Sequence, residues 1–144
     1  MHTVLVFRKS KSYLYKMSLQ NHSLLISIEQ KMCVINGQKV LADNDLAELL
    51  NVSSVQLKAK VRANPDRFPD DFAFILSNVQ YITFFKKEAY KQSRIYVFTL
   101  MGIMQAANLF NTKRAVDISI QLIEYVAANV DVFKWLEIVN EKKF

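Results

Sequence analysis

The chain has 144 residues, of which 51% are hydrophobic, and it carries 19 basic against 13 acidic side chains, a formal charge of +6. This length suits one domain with a substantial core, and two glycines and two prolines are too few for a disordered chain. The single cysteine, Cys33, excludes an internal disulfide framework and a CxxC metal site.

Residues 1–27 are predicted to form a basic leader. Residues 1–16 contain no acid and four bases, which are Arg8, Lys9, Lys11 and Lys16. Without these four of the 19 bases, the chain has 15 basic against 13 acidic residues, a balance of only +2. Met17 is the favoured start of the protein, which would make the first sixteen residues an upstream extension of the reading frame. The alternative is an arm that contacts phosphates.

Residues 28–128 are predicted to form one domain that opens with a β-hairpin and a short helix. In the stretch "MCVINGQKVL", Asn36-Gly37 supplies the two positive φ angles of a type I′ turn. Asp43 is placed to cap the helix that follows. The buried side of this helix is predicted to consist of Leu46, Ala47, Leu49 and Leu50.

A second short helix is predicted to follow almost at once. Asn51 suits the left-handed position that ends the first helix, and Ser53 with Gln56 has capping-box spacing for the next. Pro65 ends that second helix, because the residue before a proline is pushed out of the helical region.

The second helix is predicted to present a basic outer face. Leu57 and Val61 lie four residues apart and should face the core. At about 100° per residue, Val55 and Ala59 then point outward. The polar residues assigned to the outer face are Gln56, Lys58 and Arg62.

The second half of the domain is predicted to contain two strands and three helices. The strands are expected over residues 70–77 and 95–99, and Ser77 with Gln80 caps a short helix after the first strand. Thr99 caps a helix over residues 100–110. Helices segregated from a small, mostly antiparallel sheet indicate the α+β class, with a winged-helix-like arrangement.

The final helix is predicted to begin after Asn111-Thr112. Its buried face is expected to consist of residues spaced by three and four, namely Val116, Ile120, Ile123, Val126, Val130 and Phe133. Residues 129–144 form a C-terminal extension with apolar residues on one side. This extension is expected either to close the core of its own domain or to pair with a second copy, and a homodimer is favoured.

Two short capped helices with bases on the second are typical of a helix-turn-helix, whose second helix lies in the major groove of double-stranded DNA. Gln56 is suited to adenine and Arg62 to guanine or phosphate, whereas Val55 and Ala59 suit thymine methyl groups. Lys58, Lys60 and Arg67 suit phosphates, as do the hydroxyl of Ser54 and the amides at the helix start. The residues predicted to contact DNA are Ser54, Val55, Gln56, Lys58, Ala59, Arg62, Asn64 and Arg67.

The stretch "YITFFKKEAYKQSRIY", residues 81–96, interleaves aromatic and basic residues. One interpretation is a wing that contacts the DNA backbone through Lys86, Lys87, Lys91 and Arg94. The other is that Phe84 and Phe85 belong to the core while the lysines keep the loop soluble.

The sequence resembles the KilA-N-type DNA-binding domains of phages, and specifically the sister group named after the N-terminal domain of a phage "open reading frame six" protein. The matching blocks cover residues 34–126 and include Arg67-Phe68-Pro69, Phe98-Thr99 with Gly102, and Lys113-Arg114-Ala115. The chain departs from the family pattern at Ala63, where a basic residue is usual, and at Leu100, where Glu is usual. The resemblance implies a DNA-binding module of winged-helix type, often found in antirepressors and other regulators.

The sequence therefore predicts a cytoplasmic, sequence-specific DNA-binding regulator of phage or prophage type. A protein-interaction module, such as an antirepressor that binds another regulator, and an inactive prophage remnant remain alternatives. No P-loop, GxGxxG, HExxH or GxSxG motif is present, so no enzyme, cofactor, metal or small-molecule substrate is expected. No membrane association is expected, because no apolar run approaches the ~18 residues of a spanning helix.

Overall fold

The computed structural model describes residues 23–87 and 94–129. Residues 23–29 are helical and are called α1. The other elements, in chain order, are β1 Cys33–Ile35, β2 Gln38–Ala42, α2 Asp43–Leu50, α3 Ser54–Ala63, a 3-10 turn Pro65–Arg67, β3 Ala73–Ser77, α4 Asn78–Phe85, β4 Arg94–Phe98, α5 Leu100–Asn108 and α6 Lys113–Asn129. The predicted α+β class is confirmed.

The sheet has four antiparallel strands in the order β1-β2-β4-β3. The first two strands form the predicted hairpin. Asn36 and Gly37 both have positive φ, 51° and 78°, which is the conformation that a two-residue type I′ turn requires. The sheet is therefore the predicted hairpin extended by β4 and then β3.

The two faces of the sheet are covered by different helices. Residues that face each other on neighbouring antiparallel strands share a face, and Leu41 lies opposite Phe98. These two side chains belong to the main core, together with residues of α2, α3, α5 and α6. On the other face, α4 contributes Tyr81 and Phe85, whose rings stack with centroids 5.0 Å apart. The short helices α2 and α3 therefore lie on the opposite side of the sheet from α4.

Thr99 and Gly102 join α5 to the loop before β3. The Thr99 hydroxyl accepts from the Gly102 amide at the start of α5, which confirms the predicted cap. The same hydroxyl donates to the carbonyl of Asp71 at 2.8 Å. A Cβ on Gly102 would lie 1.9 Å from the carbonyl oxygen of Phe72. Gly102 is therefore required at this position, because any side chain there would collide with the backbone of the loop before β3.

Residues 23–27, which the sequence analysis assigned to the basic leader, belong to the folded domain. Leu24 and Leu25 pack against the main core, and Ile28 is buried within it. The rest of the predicted leader lies outside the described residues. In the part of the chain that is described, no helix combines the length and the apolar character needed to cross a membrane.

The prediction for the buried face of α6 is wrong at Val116, Ile120 and Ile123, whereas Val126 is half-buried. Val116, Ile120 and Ile123 are 42%, 49% and 48% exposed. The buried residues are instead Ala115, Ile118, Ser119 and Leu122. The small residues of this set let α6 approach α5 closely, and the Ser119 hydroxyl hydrogen-bonds to Asn108 of α5.

The C-terminal part of that prediction is not tested. Val130 and Phe133, with the rest of the 129–144 extension that was expected to close the core or to pair with a second copy, lie outside the residues whose side chains are described.

We expect Gly102→Ala to lower the free energy of unfolding by about 3 kcal/mol, because the added methyl group collides with backbone that cannot move aside. Urea denaturation followed by circular dichroism measures the change. Met101→Ala, at an exposed position of the same helix, is the control and should change stability little. Equal stability of Gly102→Ala and the unsubstituted protein would contradict the packing requirement.

Candidate nucleic-acid interface

The corner between α2 and α3 has the helix caps that the sequence predicts. Asn51 is left-handed, with φ 56° and ψ 46°, and its amide bonds to carbonyls of the last turn of α2. Ser53 and Gln56 form the predicted capping box: the Ser53 hydroxyl accepts from the Gln56 amide at 3.0 Å. In return, the Gln56 side-chain oxygen accepts from the Ser53 amide at 2.9 Å. Local side-chain chemistry thus ends one helix and starts the next within three residues.

The start of α6 braces the same corner. The Thr112 hydroxyl donates to the carbonyl of Leu50 at 2.7 Å, and the Arg114 side chain donates through Nε to the carbonyl of Leu49 at 2.8 Å. Carbonyls in the last turn of a helix have no partner within the helix. Two side chains of α6 therefore complete the end of α2 and hold the corner.

The inward anchors of α3 are those predicted from the sequence. Leu57 is fully buried and Val61 is 6% exposed, and both belong to the main core. On the other side of the helix, Val55 is 63% exposed, and Ala59 and Arg62 are exposed as well. The helix therefore presents Val55, Ala59 and Arg62 to solvent as expected.

The prediction that Lys58 belongs to this outer face is wrong. Lys58 is only 6% exposed. Its Nζ lies 3.3 Å from Oδ2 of Asp43 and donates to the carbonyl oxygen of Arg94, also at 3.3 Å. Lys58 follows Leu57 directly, on the flank of α3 that is turned towards β4, where the buried carboxylate of Asp43 needs a counter-charge. A buried ammonium group cannot contact a phosphate.

Asp43 is not the helix cap that the sequence suggested. It is the first residue of α2, the cap position is Ala42, and no side chain bonds there. Asp43 is fully buried, and its Oδ2 accepts from the amide of Tyr96 at 3.0 Å. Its Oδ1 has no hydrogen-bond partner among the described residues.

Burial raises the pKa of the Asp43 carboxyl above its ordinary value of 3.8, although the hydrogen bond from Tyr96 and the charge of Lys58 act to lower that pKa. The desolvation of the carboxylate therefore outweighs its favourable contacts. When the Asp43 carboxylate is ionised, Lys58 is its one ion-pair partner in the described part of the chain.

The Lys58–Asp43 pair joins three elements at one point: the start of α2, the middle of α3 and the start of β4. Because both charges are buried, each needs the other to remain in place. The pair thereby sets the position of α3 against the sheet, and it does so beside Arg94, whose exposed side chain begins β4.

The exposed bases of α3 lie on its two edges. Lys60 points towards the connection between α5 and α6, where its Nζ is 6.0 Å from the centre of the Phe110 ring. Arg62 lies on the opposite edge and lines a cavity of about 570 Å³ between α3 and strands β3 and β4. The surface between these edges carries the small or apolar side chains of Val55, Ala59 and Ala63, together with the exposed Gln56. No acid occurs in α3.

The remaining predicted contact residues of this region take varied positions. Ser54 is half-buried at the first position of α3, and Arg67 is exposed at the end of the 3-10 turn. Asn64 is half-buried, and its side chain donates to the carbonyl of Lys60 at 2.8 Å. Because the oxygen of Gln56 is held in the capping box, bidentate contact with adenine requires that box to open.

Three of the four residues predicted to form a wing are among the described residues. Lys86 and Lys87 are exposed just after α4 and thus follow the helix that covers the far face of the sheet. Arg94 lies beside α3, and Lys91 falls outside the described residues. The wing itself therefore stays a prediction.

Sequence reasoning missed the buried ion pair, although one signal pointed to it. Asp43 directly follows the buried run Val40-Leu41-Ala42. A buried acid directly after the buried end of a strand is rarely left without a partner.

A comparison with family models matches residues 30–109 to the ORF6N domain. The match runs from the end of α1 to the end of α5 and contains both short helices; α6 lies beyond it. No curated protein and no solved structure matches the chain.

We expect Lys58→Ala to lower the free energy of unfolding by about 3 kcal/mol or more, because it leaves the carboxylate of Asp43 buried without its counter-charge. Arg62→Ala, at an exposed position of the same helix, should change it by less than about 0.5 kcal/mol. Chemical denaturation of both variants measures the difference. Equal, small effects of the two substitutions would show that Lys58 is not held as described.

The raised pKa of Asp43 predicts a pH dependence of stability. A raised pKa means that the folded protein binds the proton more tightly than the unfolded chain. The contribution of Asp43 to stability is therefore largest below pH 3.8 and falls as the pH rises through the raised value. The free energy of unfolding is measured across this pH range for the unsubstituted protein and for Asp43→Asn. As the pH rises, the unsubstituted protein should lose stability relative to Asp43→Asn. A difference independent of pH would contradict the raised pKa.

Proposed function

The chain belongs to the ORF6N domain family, a phage-type domain family, and from this membership we propose that it is a sequence-specific, double-stranded-DNA-binding regulator that reads its operator with α3. The observation that carries the proposal is the outer surface of α3. It combines a base on each edge with small or apolar residues and the exposed Gln56 between them.

This surface suits the major groove in size and in charge. The groove is about 12 Å wide, and a helix with its side chains is about 10–12 Å across. With α3 in the groove, Arg62 and Lys60 are directed towards the phosphates of opposite strands. Val55 and Ala59 then approach the base edges closely, where their methyl groups suit thymine.

The start of α3 adds a further contact to the DNA backbone. The first amides of a helix have no intrahelical partner and favour an anion. One of them is satisfied by the hydroxyl of Ser53, and a phosphate near Ser54 suits the others. Arg67 and Arg94, exposed on either side of α3, are proposed to contact the flanking phosphates, which position the helix without specifying sequence.

Lys58 has a different role in this proposal from the one first assigned to it. It does not contact DNA; it holds α3 at the angle at which Arg62 and Lys60 reach the two strands. The proposal contains no catalytic step and no cofactor.

An antirepressor that binds another regulator is the second candidate function. The observation that favours it is the exposed apolar face of α6, with Val116, Ile120 and Ile123. Under this alternative, substitutions on α6 abolish the activity while Arg62→Ala and Lys60→Ala leave it unchanged.

Selection of bound sites from random duplex DNA, repeated at two salt concentrations, tests the proposal. We expect an enriched motif. We also expect Arg62→Ala or Lys60→Ala to weaken binding and to reduce the slope of log affinity against log salt by about one unit each, because one phosphate contact is lost.

Lys31→Ala is the matched control, since it removes the same charge from an exposed position before β1. It should leave the salt slope unchanged. No enriched motif, or equal slopes for Arg62→Ala, Lys60→Ala and Lys31→Ala, would show that α3 is not the reading helix.

A further inference from the structure

Strand β3 forms one edge of the sheet, because the strand order is β1-β2-β4-β3. Its sequence, AFILS, contains neither a charged residue nor a proline, the residues that commonly prevent an edge strand from pairing with another chain. Ile75, in the middle of the strand, is 44% exposed. The backbone groups that point outward from β3 therefore decide what this edge can bind.

The hydrogen bonds of β4 show that the backbone of Ile75 points away from the sheet. Ile75 lies opposite Tyr96 in the antiparallel pair of β3 with β4. Opposite residues of such a pair exchange either both of their backbone hydrogen bonds or neither. The amide of Tyr96 donates instead to Asp43, which follows β2 on the other side of β4. The N–H and C=O groups of Ile75 are therefore directed outward.

The neighbouring outward amides of β3 are already bonded within the chain. Because alternate residues of a strand direct their backbone groups to the same side, Ala73 and Ser77 also face outward. The amide of Ala73 donates to the carbonyl of Pro69 at 3.1 Å. The amide of Ser77 donates to the side-chain oxygen of Gln80 at 2.9 Å. Ile75 has no such partner among the described residues, so it is the one residue of β3 that offers an unbonded outward amide.

A cavity opens beside Ile75 on the face of the sheet that carries α3. It has a volume of about 570 Å³, and Ile75, Tyr96, Val61 and Phe68 are among its lining residues. Val61 and Phe68 are buried members of the main core, so the inner wall is apolar. The cavity therefore offers room for a large apolar side chain next to the unbonded backbone groups.

We propose that β3 binds an extended peptide segment of another protein, which lies antiparallel to β3 and places a large apolar side chain in this cavity. The central peptide residue, defined as the one opposite Ile75, exchanges two backbone hydrogen bonds with it. Opposite side chains of an antiparallel pair share a face, so the central side chain enters the cavity. Backbone bonds supply affinity in this mode of recognition, and the pocket supplies specificity.

Charges at the rim of the cavity distinguish a separate peptide from a second copy of the chain. Arg62 and Asp70 line the same cavity. Both are exposed, and neither has an ion-pair partner among the described residues. Peptide residues two positions from the central one project from the same face, where charged side chains complement this rim. A second copy, paired about a two-fold axis at Ile75, would offer only an alanine and a serine there.

The inference does not depend on DNA binding, and it is tested without DNA. If the proposed function also holds, the peptide and the duplex share Arg62, and the bound peptide weakens DNA binding.

Selection from a displayed library of random linear peptides, with the full chain as target, supplies the probe. We expect the enriched peptides to share a large apolar residue with charged residues two positions away. Ile75→Lys should weaken binding of the selected peptide at least about tenfold, which is about 1.4 kcal/mol, because a charge on an edge strand opposes pairing. Val79→Lys is the matched control, since Val79 is 74% exposed but lies on α4. It should leave the affinity unchanged, and circular dichroism should show both variants folded.

Methylation of single peptide amides tests the backbone pairing. A methyl group on the central amide removes the donor to the carbonyl of Ile75 and should weaken binding at least about tenfold. A methyl group on the next amide, which points away from β3, should change the affinity little.

Amide hydrogen exchange followed by NMR tests the same pairing from the side of the protein. In the full chain without peptide, the amide of Ile75 should exchange fast, whereas the amides of Phe74 and Leu76, which face β4, should be protected. Saturation with the selected peptide should protect the amide of Ile75 as well.

A library that yields no enriched peptide would overturn the proposal. A selected peptide that tolerates Ile75→Lys or methylation of its central amide would overturn it too. So would an amide of Ile75 that is already protected without peptide, because another part of the chain or a second copy would then occupy the edge.

Discussion

The ion pair between Lys58 and Asp43 decides where the second short helix lies. It brings an ammonium group of α3 and a carboxylate of α2 to 3.3 Å in a place that solvent hardly reaches, beside backbone groups of β4. Such a pair contributes little net stability compared with two well-packed apolar residues, because the free energy needed to remove both charges from water nearly cancels the free energy of their attraction. Its effect is geometric. An apolar contact tolerates sliding, whereas a buried ion pair holds only when the helix, the strand and the corner are in register.

The rest of the candidate interface follows from that placement. With Leu57, Lys58 and Val61 turned inward, the outer surface has a base at each edge, with small or apolar side chains and Gln56 between them. The corner that carries α3 is completed by Thr112 and Arg114 at the start of α6. The matched family region ends before α6, yet α6 supplies contacts that hold the helix-turn-helix in place.

The features that could be predicted from the sequence are those that residues close to each other in the chain determine. Asn36-Gly37, the Ser53–Gln56 and Ser77–Gln80 capping boxes, the left-handed Asn51 and the Thr99 cap all involve residues within four positions of each other, and all are confirmed. Each motif satisfies backbone groups that would otherwise lack partners. The requirement for Gly102 could not be derived in this way, because the carbonyl that it accommodates lies thirty residues earlier in the chain.

What could not be predicted depends on which side of a helix meets its neighbours. On α6, two apolar stripes have the same helical spacing, and the one with larger residues was expected to be buried. Packing selected the other, because Ala115 and Ser119 allow the closer approach to α5. Likewise, a lysine in a short basic helix was expected to face solvent, since nothing in α3 itself marks Lys58 as the partner of an acid fifteen residues earlier. In both cases, the deciding contact is tertiary.

We propose that α3 reads DNA with its outer edges and that a buried ion pair, which never touches the duplex, positions this helix. The most direct measurement is the salt dependence of affinity for the selected duplex when both members of the pair are replaced, as Asp43→Leu with Lys58→Met. We expect the double variant to fold and to bind DNA more weakly with an unchanged salt slope, because α3 shifts while no phosphate contact is removed. A slope reduced by about one unit would mean that Lys58 contacts a phosphate, and unchanged affinity would mean that the pair does not position the helix.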